Sequence, residues 1–323
     1  MGGCATNEEP PYPMMIRAPL KVFEQIDHGI FRVAVPFRLA GGLVDTFTHM
    51  MLVRLESGNS VALATVDVDG PAKTVDGGDT ASGLIRADID KLTDNGAKLE
   101  AVVATHSFHT VAYPSFYKAY PKAKYYGCPR HLRNQPEIPW AGTITDCEVQ
   151  ALWSPEIRFA IPPAAVGEFS DPADPATNHW NSVLALAGRT LFNDDMISYR
   201  IHPKQLMGRI FVWVAGGEHE QLAFHGSMFH GGLRQNGEAP GLFVEWLEGL
   251  MEQWEFDIIA TAHNGVLKRD GKSRLIALLE ETKPKLIHCA AKWAKGEVET
   301  KNDPDDPSKS GGWSNNPREC ECG

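Results

Sequence analysis

Ala101-Val102-Val103-Ala104-Thr105 runs directly into His106-Ser107-Phe108-His109-Thr110. The first five residues show no polar alternation, the pattern of a short strand buried on both faces. The polar cluster that ends the run puts two imidazoles at a strand end, where a rigid sheet holds side chains in place for chemistry. Working outward, the same pattern recurs. Met50 to Leu55 and Val61 to Val66 read as strands before it, and Val183 to Ala187, Arg209 to Val214 and Ile258 to Ala262 as strands after it. Leu84 to Asp94 reads as a helix. Leu242 to Trp254 carries Leu242, Phe243, Trp246, Leu247, Leu250 and Met251 at helical spacing, and Ser273 to Thr282 repeats the pattern with Leu275, Ile276, Leu278 and Leu279. Strands interspersed with helices predict an α/β class.

The chain has 323 residues, which at roughly 150 residues per domain suggests about two domains or one large one. With 43% hydrophobic and 22% charged residues, disorder of the whole chain is excluded. No run approaches the ~18 apolar residues of a membrane-crossing helix. A net charge of -10 argues against a nucleic-acid partner, which selects for positive charge. The cysteines at 4, 128, 147, 289, 320 and 322 show no Cys-x-x-Cys pair, so a zinc ribbon or thiol redox motif is not expected. Reduced thiols and the lack of a secretory pattern point to the cytoplasm.

Residues 1–18 read as a flexible leader, 19–299 as the folded domain and 300–323 as a disordered polar tail. The opening Met-Gly-Gly-Cys-Ala-Thr fits N-myristoylation at Gly2, with Cys4 placed for a second acyl chain. Two chains anchor a protein stably, so peripheral contact at the cytoplasmic face of a membrane is expected. Residues 160–178, rich in Pro, Ala and Asp, read as a long loop, either a linker or an insertion within one domain.

Four places put a metal-capable side chain at or near a strand end. They are Thr105 to Thr110, then Asn178-His179-Trp180-Asn181, then Thr190 to Asp195, and last Thr261-Ala262-His263-Asn264-Gly265. Neutral imidazole with carboxylate suits zinc, iron or manganese, and such an ion acidifies bound water. Each element alone is weak; their order is more informative. Other signals fall away. His225 and His230 lie in a polar stretch that reads as a solvated loop. The chain holds neither a Gly-x-Ser-x-Gly elbow nor a Gly-x-Gly-x-x-Gly loop. Phe116, Tyr117 and Tyr120 sit at helical spacing among lysines and read as a packed amphipathic helix. His28, His49, His131, His202 and His288 read as structural or exposed.

The order of the four places resembles the metallo-β-lactamase superfamily. That family's first motif is a strand followed by His-x-His-x-Asp-His. A lone His, then an Asp after a strand, then a late His complete its ligand set. The corresponding positions here are His106, His179, Asp195 and His263, with Leu191 to Asp195 similar to the family's apolar run ending in Asp. A closer resemblance is to an uncharacterised, degenerate branch of the superfamily. It shares Val53-Arg54-Leu55-Glu56-Ser57-Gly58, the Phe108-His109 step, Tyr120-Pro121-Lys122-Ala123-Lys124-Tyr125 and Pro129-Arg130-His131-Leu132-Arg133. The resemblance covers roughly residues 45–285. It implies an αβ/βα sandwich of two mixed sheets flanked by helices.

Against His-x-His-x-Asp-His the chain reads His106-Ser107-Phe108-His109-Thr110-Val111, so only the first ligand matches. His109, at an unmatched offset, replaces a missing ligand if the turn is tight. The candidates are then His106, His109, His179, Asp195 and His263, enough for one divalent metal with a position left for water. Zinc or iron is favoured. The family's motif Asp is absent, and Asp194 is the nearest spare carboxylate to act as base. The expected function is a metal-dependent hydrolase acting on an ester, thioester, lactone or phosphoester of small-molecule size. The alternative is a non-catalytic pseudoenzyme serving as a binding or scaffold protein.

Overall fold

In the computed structural model, which describes residues 22–39, 44–69, 81–174, 176, 178–201, 220–262 and 265–297, two sheets lie face to face. The first begins as a meander of β1 (Glu24–Asp27), β2 (Ile30–Leu39), β3 (Val44–Arg54) and β4 (Ser60–Leu63), each antiparallel to the next. Helix α1 (Ala81–Thr93) then crosses to β5 (Leu99–Val103), α2 (Tyr113–Ala119) to β6 (Lys124–Gly127), and α3 (Pro129–Asn134) to β7 (Trp140–Thr143). From β4 onward these strands pair in parallel, as helical crossovers require.

A single turn, α4 (Cys147–Gln150), leads to β8 (Ile157–Ala160) and the second sheet. There β8 pairs antiparallel with β9 (Leu184–Ala187), which turns back into β10 (Thr190–Asn193). Gly188 adopts a left-handed φ of 52°, which closes that tight hairpin. A two-stranded ribbon, β11 (Ile197–Ile201) and β12 (Glu220–Phe224), and helix α5 (Ala239–Gln253) precede β13 (Ile258–Thr261). Strand β13 returns parallel to β10 and is edged by β14 (Val266–Leu267), and helix α6 (Gly271–Trp293) closes the described chain.

Side-chain alternation on each strand builds three apolar layers. Leu63, Ala101, Val103 and Tyr126 of the first sheet meet Ile157, Ala185 and Phe192 of the second. On the outer face of the first sheet, Leu52, Ala62 and Val102 pack under Ile85, Ile89 and Phe116. On the outer face of the second, Leu186, Leu191 and Ile259 pack under Phe243, Leu247 and Leu279. Strand β5 is apolar at successive positions because both of its faces are covered. The layers are therefore helix, sheet, sheet, helix: the αβ/βα sandwich that the resemblance implied.

Several expectations shift in detail. Residues 160–178 fall between β8 and β9 of one sheet, so they are an insertion and not a linker. The helix holding Phe116 and Tyr117 stops at Ala119, which leaves Tyr120 at its C-cap. The helix expected over Ser273 to Thr282 runs on past Pro284 to Trp293. Burial of Leu286 and Trp293 against the second sheet's outer layer offsets the one intrahelical hydrogen bond that proline forgoes. The strand expected at Arg209 to Val214, the leader through residue 18 with Gly2 and Cys4, and the 300–323 tail lie outside the described residues. Among the described residues, no helix is long and apolar enough to cross a membrane.

His131 pins α3 to the first sheet. Its ring is fully buried against Tyr113 at 5.3 Å and Trp140 at 5.5 Å, and its Nδ1 accepts the Cys128 N–H at 3.3 Å. Burial first, then the charges of His106 and Arg130, push the imidazole down to about 3. In the unfolded chain it returns to about 6.5. Unfolding therefore takes up a proton below that pH. The stability from the neutral ring is complete above about 6.5 and is lost as pH falls toward 3, at up to about 1.4 kcal/mol per pH unit. His131→Phe is expected to flatten the acid limb of stability in urea titrations between these limits, and an unchanged slope would refute this role.

Candidate metal centre

Three loops converge at one end of the two sheets. Thr105 to His109 follow β5 of the first sheet, His179 precedes β9, and Asp194 and Asp195 follow β10 of the second. Backbone bonds fix the loops to one another. Val183 N–H donates to the Thr105 carbonyl at 2.8 Å, and His106 forms an isolated antiparallel bridge with Ser182. The Asn193 side chain accepts the Ile197 N–H at 2.7 Å, turning the chain sharply after β10 so that two successive carboxylates face inward.

Asp194 is the deeper of the two and wholly buried. It accepts the Thr105 hydroxyl in a short hydrogen bond, faces His109 Nδ1 at 3.2 Å and lies 3.5 Å from His49 Nε2. Behind His49 stands a buried guanidinium: Arg32 Nε–H donates to His49 Nδ1 at 3.1 Å, and Arg32 Nη2 donates to the Thr261 carbonyl at 2.8 Å. Burial alone would raise the Asp194 carboxyl, but His109 and His49 hold it well below the usual carboxylate range. His49, stacked on Phe192 at 4.5 Å, is pushed down to about 4 by burial.

Asp195 is surrounded by imidazoles. Its Oδ2 lies 3.2 Å from His179 Nδ1, 3.4 Å from His106 Nε2 and 3.5 Å from His109 Nε2. His106 is fully buried and, chiefly for that reason, pushed down to about 4. His109 goes the other way: burial opposes its charge, but the Asp195 and Asp194 carboxylates outweigh it and lift the ring to about 10. Both its nitrogens face carboxylates, so it stands as a doubly protonated bridge between the two. His179 is 46% exposed, which opens the cluster on that side.

The donor set suits a small divalent cation. One donor atom from each of His106, His179 and Asp195 lies within 4.8 Å of the others. Ligand atoms about 2.0–2.1 Å from a tetrahedral ion stand roughly 3.4 Å apart, the spacing that Asp195 Oδ2 keeps from both imidazoles. One adjustment is built in. His106 Nδ1 accepts the Phe108 N–H at 3.1 Å, so Nε2 carries the ring proton and faces the His179 carbonyl at 2.9 Å. Ligation through Nε2 moves that proton to Nδ1, so the Phe108 peptide must turn away.

The sequence-derived candidates thus divide. His106, His179 and Asp195 come together, His109 and Asp194 stand against them, and His263 lies outside the described residues. His225, read from sequence as part of a solvated loop, instead caps the 3₁₀ turn Gly226–Phe229, with its ring 6.1 Å from that of His179. Three further residues support the cluster: Thr105, named from sequence only as the start of its loop, His49, read as structural or exposed, and Arg32, which drew no reading. Thr105 was legible as the last residue of the strand, one step before His106. His49 and Arg32 carry no local signal, because their meeting depends on the β2–β3 register.

No family model matches the chain, and no curated protein matches it. Solved structures similar to it include a metallo-β-lactamase from Erythrobacter litoralis with β-mercaptoethanol in its active site (14% identity, TM-score 0.47, 80% of this chain and 96% of that one). A metallo-β-lactamase from Pseudomonas aeruginosa in its mono-zinc form is similar at 12% identity and TM-score 0.46, over 81% and 95% of the two chains. A flavo di-iron protein from Thermotoga maritima is similar at 12% identity and TM-score 0.45, over 86% of this chain and 63% of that one.

The buried Asp194 has a measurable consequence. Asp194→Ala leaves Thr105, His49 and His109 without their shared acceptor, and is expected to cost about 3 kcal/mol or more. Urea unfolding in the presence of a chelator would read it independently of any metal, and a loss below about 1 kcal/mol would show that the carboxylate does not organise the loops.

Proposed function

We propose that this protein is a metal-dependent hydrolase that works with one divalent ion, zinc or iron, held by His106, His179 and Asp195. The observation that carries the reading is the convergence of these donors, from three separate loops, to within 4.8 Å of one another, with the His179 side of the cluster open to solvent. The ion would supply Lewis-acid polarisation of the scissile group and an acidified water. Everything else falls to the chain.

His179 forms the exposed edge of the centre, so substrate approaches on its side. His109, with a proton on each nitrogen, is placed to deliver one to a leaving group; the proton released by the attacking water would replace it, and the two carboxylates stabilise the recharged ring. Asp194 was the expected base, but its oxygens already hold Thr105, His109 and His49. In this reading it is a positioning residue: it aims His109, and Arg32 fixes His49 behind it. His263 belongs to the proposed ligand set as the donor that completes it. The substrate is a small molecule with an ester, thioester, lactone or phosphoester bond. Acylation at Gly2 and Cys4, with contact at the cytoplasmic face of a membrane, completes the proposal and rests on the first six residues alone.

Elemental analysis of protein purified without added metal is expected to find about one equivalent per chain, lost in His106→Ala/Asp195→Ala. Metal addition should also shift the Phe108 amide resonance, since that peptide must turn. If neither zinc nor iron nor manganese binds after incubation, the hydrolase reading fails.

A further inference from the structure

The Pro129 to Arg133 run, noted in the sequence for its resemblance alone, sits beside the centre. Its two arginines are used differently. Arg133 is tied to the buried Glu168 carboxylate. Arg130 has no carboxylate at ion-pair distance among the described residues. Its guanidinium instead lies over the Phe108 ring, 5.5 Å from the ring centroid. Phe108 in turn packs on His179, ring centroids 4.6 Å apart, and on His106 at 5.7 Å. A half-buried cation, an aromatic ring and the exposed metal-centre imidazole therefore contact one another in succession.

An arginine stacked on an aromatic ring is held by its face, which leaves its N–H edges to donate in plane. Those edges match the paired oxygens of a carboxylate or phosphate. The stack also limits the guanidinium's freedom, so less entropy is lost when an anion binds. The position is unusual for this molecule, whose net charge is -10. A cation without a paired carboxylate, one aromatic ring away from the exposed His179, favours anions locally against the chain's net negative charge.

We propose that Arg130 is an anion-binding subsite, and that the substrate carries a carboxylate or phosphate group on Arg130 with its adjoining apolar part on Phe108. Where the reacting bond lies rests on the metal-centre reading above; the subsite itself does not.

The test uses a matched pair of probes, phenylacetate and its neutral analogue phenylacetamide, with binding followed by ligand-observed NMR on the full chain. The wild type is expected to prefer the anion by roughly ten-fold. Arg130→Gln should abolish the preference, and Arg130→Lys, which keeps the charge but not the planar fork, should retain part of it. Metal content is expected to be unchanged in both variants. Equal binding of the two probes by the wild type would overturn the subsite. So would a preference that survives in Arg130→Gln but vanishes on chelation, since the carboxylate would then be on the metal. A preference that follows Arg130 in protein that binds no metal would uphold the subsite while the hydrolase reading fails.

Discussion

A carboxylate buried out of reach of water is the constraint on which the site depends. Isolated, the charge of Asp194 would be too costly to keep in the interior, and the group would stay protonated. It stays charged because the Thr105 hydroxyl, His109 and His49 come to it from three different segments. Each of those donors must then be where it is. Thr105 fixes the end of β5, His109 fixes the loop beyond it, and His49 with Arg32 brings the first sheet's meander to the same point. The neighbouring residue in the chain, Asp195, is carried into place by the same turn and gathers His106 and His179.

The two sheets are joined at this end by polar contacts and elsewhere by apolar packing. Phe192 illustrates the seam. It belongs to the inter-sheet core, yet its ring lies flat on His49, one residue before the chain turns toward the carboxylates. Rigid strands on either side limit how far the loops can drift. Among the described members of the cluster, His179 is the one in substantial contact with solvent. A deep charged anchor and a shallow open edge give the site a direction, with Phe108 and Arg130 extending it outward from that edge.

Much of this was legible in the chain. The uninterrupted apolar character of Ala101 to Ala104 identified a strand covered on both faces, and the histidines after it marked a strand end. The spacing of Phe243, Leu247 and Met251 identified the helix that covers the second sheet. The order of His106, His179 and Asp195 along the chain, set against a known family pattern, named three residues that the fold brings together. Boundaries were less legible: the final helix continues past Pro284 because Leu286 and Trp293 find an apolar layer, which local propensity does not encode. The helix read from Phe116, Tyr117 and Tyr120 is also one residue shorter than that spacing, ending at Ala119, with Tyr120 in its C-cap.

Local pattern, then, determined which residues form strands and helices and which strand ends carry metal-capable side chains, because alternation and helical spacing are properties of neighbours. The roles of those side chains were decided only by the tertiary structure. Asp194 and Asp195 are adjacent carboxylates in sequence, yet one is locked among donors from the first sheet and the other faces three imidazoles. His49 read only as structural or exposed and Arg32 drew no reading, yet they form the support of the site. The physical reason is that a buried charge is stabilised by whatever polar groups surround it, and those groups come from chain segments whose separation in sequence says nothing about their distance in space.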